Sequence, residues 1–292
     1  MKTGIHCPPC MYRTYMDALR HLDLPEERMF EEAKWFCGQM TQLDENLPSA
    51  CNHLYGERLW ELAGGDCYLE DKMADNRRML EVGKEVLEKI NSAADPLEMA
   101  VRYAIAGNVI DPTAHYDEPL ESVLAAAAAR PLAINDIALL GCALKKAKKI
   151  LYVTDNAGEV VMDRLLIETM IRLGYVTADQ LTVAVRSTPF ANDALMEDAQ
   201  FAGLTSLVRV IGTGSKYATV YMSSVSEEFR EYYREADLLI TKGMGNFESA
   251  CEFTDKTVCT MLMTKCVPVA QRLGTELGDF VCRVQNGQLL GV

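Results

Sequence analysis

The sequence predicts an α/β protein: an all-helical N-terminal part followed by a parallel β-sheet with helices on both faces. Three observations carry this expectation. Up to about residue 95, charged and apolar residues mix at three- and four-residue spacing with no convincing strand. From Lys149 onward, short apolar runs rich in β-branched residues recur, separated by stretches of roughly βαβ length. Four polar segments each follow or end such a run, so their side chains should gather along one edge of the sheet.

Residues 11–22 read as the first helix. Pro25-Glu26-Glu27 makes a good first helical turn, after which Met29, Phe30, Ala33, Phe36 and Cys37 share one face. Further helices fit residues 55–62 and 77–90. Asp95-Pro96 starts another, which carries Met99, Val101, Ala104 and Ile105 and ends near Gly107-Asn108. Residues 124–130, alanine-rich, have high helix propensity. Strands then read at 150–154, 181–185, 207–211, 238–241 and 267–270, with helices at 160–173, 191–202 and 226–235 between them. Right-handed crossovers make the arrangement Rossmann-like. The expected division is a helical domain over residues 1–95 and an α/β domain over 96–292.

A chain of 292 residues, 49% hydrophobic and 24% charged, can bury a large core. No apolar stretch approaches the ~18 to 20 residues of a membrane span, and the start lacks the apolar centre of a signal peptide. A soluble, cytoplasmic protein without membrane contact is expected. The formal charge of −13 argues against sequence-independent nucleic-acid binding, since phosphates along a duplex demand a concentrated basic face. Lys145, Lys146, Lys148 and Lys149 form only a short helix end before a strand. Nothing in the sequence fixes the oligomeric state.

Asp155 and Asn156 stand directly after the first strand, with Gly158 allowing a sharp turn into the next helix. Asp193 follows the second strand by a short loop. Two carboxylates and an amide oxygen make a hard, oxygen-rich set suited to Mg²⁺ or Mn²⁺, whereas zinc would favour His or Cys. Asp, Asn and Gly are also common turn and cap residues, so one such segment proves little. Repetition gives the pattern its weight, because Arg186 with Asp193 and Lys242 with Asn246 sit at two further strand ends. Lys242 precedes Gly243 and Gly245, which let backbone N–H groups approach a ligand. An ammonium beside such amides suits phosphate, and Arg186 can add a second positive contact. Gly212-Thr213-Gly214-Ser215 could line the same edge. Neither a P-loop nor a G-x-G-x-x-G after the first strand is present.

Taken in order, Gly107-Asn108 with Asp111, Asp155-Asn156-Ala157-Gly158-Glu159, Arg186 with Pro189 and Asn192-Asp193, and Lys242-Gly243-x-Gly-Asn246-Phe247-Glu248 resemble the damage-control phosphatase family, long catalogued as domain of unknown function 89. The Cys7-x-x-Cys10 start looks like its archaeal and bacterial branch. The resemblance spans essentially the whole chain. It implies a metal-dependent phosphatase acting on phosphate esters of small metabolites, with Mg, Mn, Co or Ni held by Asp155, Asn156 and Asp193. By the same matching, Lys242 would contact phosphate, with Asn108, Arg186, Asn192, Gly243 and Asn246 nearby. Asp155, Asp193 and Lys242 would then carry catalysis, and Glu159 could be a helix cap or a general base.

Two rival readings remain at this level. A carboxyl methyltransferase using S-adenosylmethionine could exploit the glycine-containing first turn, although Arg186 stands where ribose binding would want an acid. A non-enzymatic metal- or redox-responsive protein could be built around Cys7 and Cys10, either as a structural metal site or as a disulfide. No second C-x-x-C exists, so a partner such as Cys37, Cys51, Cys67 or Cys282 would have to complete a metal site. His6, His21, His53 and His115 are scattered, and surface roles are expected for them.

Overall fold

In the computed structural model, which describes residues 1–52, 55–109 and 119–290, helices α1 (Cys7–Leu19), α2 (Glu26–Gln39) and α3 (Gly56–Ala63) enclose an aromatic cluster. Tyr15 stacks on Phe36 at 4.7 Å between ring centroids, and Tyr55 meets Phe36 edge-on at 5.5 Å. Tyr55 also reaches Phe190, 5.5 Å away, in the loop that carries Asp193. Asp111, His53 and His115 lie outside the described residues.

Helix α4 (Leu69–Ser92) runs from this cluster onto the helices that cover one face of the sheet, where its Met79, Val86 and Ile90 join the main core with α5 (Pro96–Ala106) and α6 (Leu120–Ala128). Asp95 caps α5 by accepting from the Glu98 N–H at 3.0 Å, and Pro96 fills the first turn, as its sequence suggests. There follow β1 (Leu132–Asn135), α7 (Ile137–Lys146), β2 (Ile150–Val153), α8 (Glu159–Arg172), β3 (Leu181–Val185), α9 (Met196–Phe201) and β4 (Arg209–Gly212). The chain then forms α10 (Glu227–Glu235), β5 (Leu238–Lys242), α11 (Gly243–Ala250), β6 (Thr257–Met263), α12 (Val267–Leu273) and β7 (Phe280–Gln285).

Among the described residues seven strands form one sheet in the order β1-β7-β6-β5-β2-β3-β4. All neighbours are parallel except β6 and β7. Strand β2 shows why its sequence is uninterrupted by polar residues. Ile150 and Tyr152 enter the core beneath α4, α5 and α8, while Leu151 and Val153 face the opposite layer, where Phe229 and Tyr233 of α10 pack. Both faces being covered, alternation disappears. Among the described residues no helix is long and apolar enough to cross a membrane.

One expected strand is corrected. Residues 267–270 form the start of α12, because Pro268 occupies its first turn and cannot donate to a ladder. The neighbouring strand is β6, in which Thr257, Thr260 and the methionines dilute an otherwise buried run. Strands β1 and β7 also add to the expected sheet, and β7 makes it mixed. Helix α9 starts at Met196, five residues later than expected, because the loop before it is given over to Asp193.

Candidate functional site

Strand β2 continues into β3 on one side, whereas β5, its other neighbour, continues into β6 on the opposite side. The crevice beyond the C-terminal ends of β2 and β5 is thus the sheet's topological switch point, where open α/β folds bind ligands. Asp155 and Asn156 leave β2 there, and Gly243 leaves β5.

Gly158 starts α8 with φ +70°, a conformation that disfavours side chains. Its N–H donates to Asn76 Oδ1 of α4 at 2.7 Å, and Asn76 Nδ2 in turn donates to Asp198 at 2.7 Å. The turn holding Asp155 and Asn156 is therefore fixed from outside the sheet. On the other side Gly243, at φ +76°, faces the Asp155 carboxylate so closely that any Cβ would collide with it.

Two asparagine amides bridge two carboxylates in this crevice. Asn108 Nδ2 donates to Asp155 Oδ2 at 2.9 Å and to Glu159 Oε2 at 2.6 Å. Asn156 Nδ2 repeats the pattern at 2.9 and 3.0 Å. An isolated antiparallel bridge joins Asn156 to Asp193, and the Ala157 N–H donates to the Asn192 carbonyl at 2.8 Å. Ala191, at φ +44°, is strained so that this loop can turn back. Arg186 Nε donates to Asp193 Oδ2 at 2.8 Å, and Nη2 to Asn246 Oδ1 at 3.0 Å, while Nη1 is buried without a partner. Asn246 Nδ2 donates to the carbonyls of Thr154 and Lys242, both at 2.9 Å, and so ties the ends of β2 and β5 together.

Burial, then the neighbouring Glu159 and Asp193, push the Asp155 carboxyl up to about 7, against the opposing pull of Lys265 and Arg186. Burial likewise raises Asp193, although Arg186 opposes it. Carboxylates crowded in this way lack enough positive charge to remain ionised together, which is the electrostatic setting a divalent cation satisfies. Among the described residues no three His, Cys, Asp or Glu side chains could hold an ion by themselves. The donors here are two carboxylates and an amide, a set of hard oxygens that fits a divalent cation completed by water.

Lys242 is placed differently from the expected phosphate contact. Its ammonium is fully buried and donates to the Ala104 carbonyl at 2.9 Å, Glu159 Oε1 at 2.7 Å and Asp163 Oδ1 at 2.5 Å, which uses all three donors. Burial alone would push this ammonium down, but Asp163 and Glu159 outweigh it and hold Lys242 above the usual lysine range.

Asp155 and Asp193 open into a cavity of about 420 Å³ whose positive groups are Lys265 and Arg13, with Glu248 and Gly245 on its wall. Lys265 Nζ donates to the Asn108 carbonyl at 2.9 Å. Arg186 lines a neighbouring cavity instead, together with Gly212, and the Gly214 N–H is taken by Ser187 Oγ at 2.6 Å. Sequence reasoning singled out neither Lys265 nor Asn76. Lys265 stands two residues beyond the end of β6, whereas Lys242 is the last residue of β5, so only recognising residues 257–263 as a strand could have pointed to it. Asn76 gave no signal, being one polar residue on a long helix.

The damage-control phosphatase ARMT1-like domain family matches residues 3–281. Damage-control phosphatase PH1575 of Pyrococcus horikoshii is 32% identical over 289 residues, covering 97% of this chain and 98% of that protein. A damage-control phosphatase of Archaeoglobus fulgidus is 31% identical, with 97% and 99% covered. The crystal structure of a DUF89 family protein from Pyrococcus horikoshii superimposes with a TM-score of 0.87 at 31% identity, covering 97% of this chain and 99% of that one. With the ordered motifs, the fold and these relatives in agreement over nearly the full length, the chain belongs to the damage-control phosphatase family.

Proposed function

We propose that this phosphatase hydrolyses a phosphate monoester of a small damaged metabolite, with a divalent cation (Mg, Mn, Co or Ni) held by Asp155, Asn156 and Asp193. One observation carries the reading: Asp155, Asp193 and Lys265 converge in one cavity at the switch point of the sheet. The bound ion would neutralise charge on the phosphoryl group and lower the pKa of a water. Lys265 and Arg13, which line the same cavity, would hold the phosphate. Lys242 would act by positioning Glu159, whose other oxygen is set by Asn108 and Asn156, so that Glu159 is oriented toward Asp155. Arg186 and Asn246 would fix the Asp193 loop to the strand ends. Phe190, Met244 and Leu277 supply apolar walls that exclude water around the reacting group.

We infer further that the reaction takes place in the cytoplasm. The methyltransferase and non-enzymatic alternatives are not favoured by relatives that are named phosphatases. The test is phosphate release from a panel of phosphorylated sugars, nucleotides and pantetheine-like compounds with each of the four cations. Asp155→Ala and Asp193→Ala are expected to abolish metal-stimulated release, and full activity in either would end the proposal.

A further inference from the structure

Three cysteines from opposite ends of the chain line the cavity that holds Asp155 and Asp193. Cys7 and Cys10 come from the first turn of α1, and Cys266 from the cap of α12, with His6 beside the first pair and Lys265 beside the third. They differ in access. Cys10 is exposed, Cys7 is buried with its sulfur accepting from the Gly4 N–H, and Cys266 is half-buried on the wall of the same cavity. Residues three apart on a helix lie within the Cα range of a disulfide, and Pro8 and Pro9 stiffen the turn that holds this pair. Burial pushes the Cys266 thiol up to about 11, with Glu248 and then Cys7 and Cys10 adding to the effect, as groups sharing one neighbourhood do. A soft-metal site is the weaker use of these thiols, since among the described residues no three such donors converge on an ion.

We propose that Cys7, Cys10 and Cys266 form a thiol–disulfide exchange site that narrows the mouth of the cavity when oxidised. The oxidant is a low-molecular-weight disulfide. The Cys10 thiolate attacks one of its sulfurs, the S–S bond breaks, and one small thiol leaves with the electron pair and takes a proton. The Cys7 thiolate then attacks the Cys10 sulfur, releasing the second small thiol and closing Cys7–Cys10. Cys266, whose raised thiol must first give up its proton, then attacks Cys10 as the minor thiolate form; this moves the bond to Cys10–Cys266, returns the thiol to Cys7 and ties α1 to the start of α12 beside Lys265. Two protein thiols are oxidised as one small disulfide is reduced to two thiols. Entry of substrate past Lys265 would then be obstructed, a consequence that rests on the proposed function of the cavity.

The experiment incubates the reduced, purified chain with glutathione disulfide, alkylates free thiols and maps disulfides by mass spectrometry without reduction, with phosphate release measured in parallel. The expected result is one intramolecular bond within the set of three, a fall in kcat/KM of roughly tenfold or more, and recovery with dithiothreitol. Cys10→Ser should remove both the bond and the redox sensitivity. Cys7→Ser should leave Cys10–Cys266 as the product. Cys37 and Cys142, which are also exposed, serve as controls, and Cys37→Ser should keep the full redox response. A glutathione adduct on Cys10 without a bond to Cys7 or Cys266, or a bond within the set that leaves kcat/KM unchanged, would overturn the proposal. A reduced enzyme that releases no phosphate from any substrate would sink the hydrolase reading instead, and the disulfide map would still decide whether the exchange site exists.

Discussion

Gly243 shows how closely a single residue constrains the site. Its φ is +76°, and an added Cβ would overlap the Asp155 carboxylate. Gly243→Ala is therefore expected to displace Asp155 and cost on the order of 100-fold in kcat/KM, since displacements near 1 Å at a reacting centre carry such losses. Steady-state kinetics with circular dichroism will separate this from unfolding. Glu248 makes a different prediction. Its carboxyl accepts from the Ala50 N–H at 2.8 Å, yet burial pushes it up to about 7 from an ordinary value of 4.5. The folded chain thus binds a proton more tightly than the unfolded chain, and the stability this gives is present below pH 4.5 and lost as pH rises toward 7. Denaturant unfolding of the wild type should therefore lose up to roughly 3 kcal/mol relative to Glu248→Gln across that window. Equal slopes for the two proteins would show that Glu248 titrates normally. Asp155 and Asp193 were legible in the sequence because each follows an apolar run that could only be a buried strand. Lys265 was not, because the threonines and methionines of its strand conceal the same signal.

At the scale of elements, α4 links the helical cover to the turn that carries Asp155 and Asn156. Its Asn76 accepts from the Gly158 N–H and donates to Asp198, both at 2.7 Å. Asn76→Ala leaves the buried Gly158 N–H and one oxygen of the buried Asp198 carboxylate without that partner, although Asp198 keeps Leu195 and Lys72 on its other oxygen, at about 1 to 3 kcal/mol. A Tm lower by several degrees, together with weaker metal affinity, is the expected outcome in thermal unfolding and titration. An unchanged Tm would mean that the turn holds itself. The strands β2, β3 and β5 and the helix between β2 and β3 were readable from pattern alone, because local composition and burial agree there. Residues 267–270 were not, since four apolar or small residues carry no period and the helix-starting role of Pro268 decides between strand and helix. Strand β1 is short and half-exposed, and β7 becomes increasingly exposed along its length, so neither presents a continuous apolar run.

For the whole molecule, the formal charge of −13 and the crowded carboxylates at the switch point act in the same direction on a cation. The field of the protein draws it in, and binding relieves repulsion that the folded chain otherwise carries. Divalent metal at 100 times its Kd should stabilise the fold by about 2.7 kcal/mol. Thermal unfolding is expected to show a higher Tm with Mn²⁺ or Mg²⁺, reversed by EDTA and reduced by high salt. Asp155→Asn should lose most of that shift, and a shift preserved in this variant would place the ion elsewhere.

Among the described residues strand β1 pairs only with β7, Leu132 lying against Phe280, roughly 150 residues apart along the chain. On a ribosome β1 therefore emerges long before its neighbour exists, leaving its backbone to water, to a chaperone or to another nascent chain. Maturation of this enzyme should be limited by the arrival of that late strand, and polysome-bound intermediates should be the stage most exposed to proteolysis and mispairing.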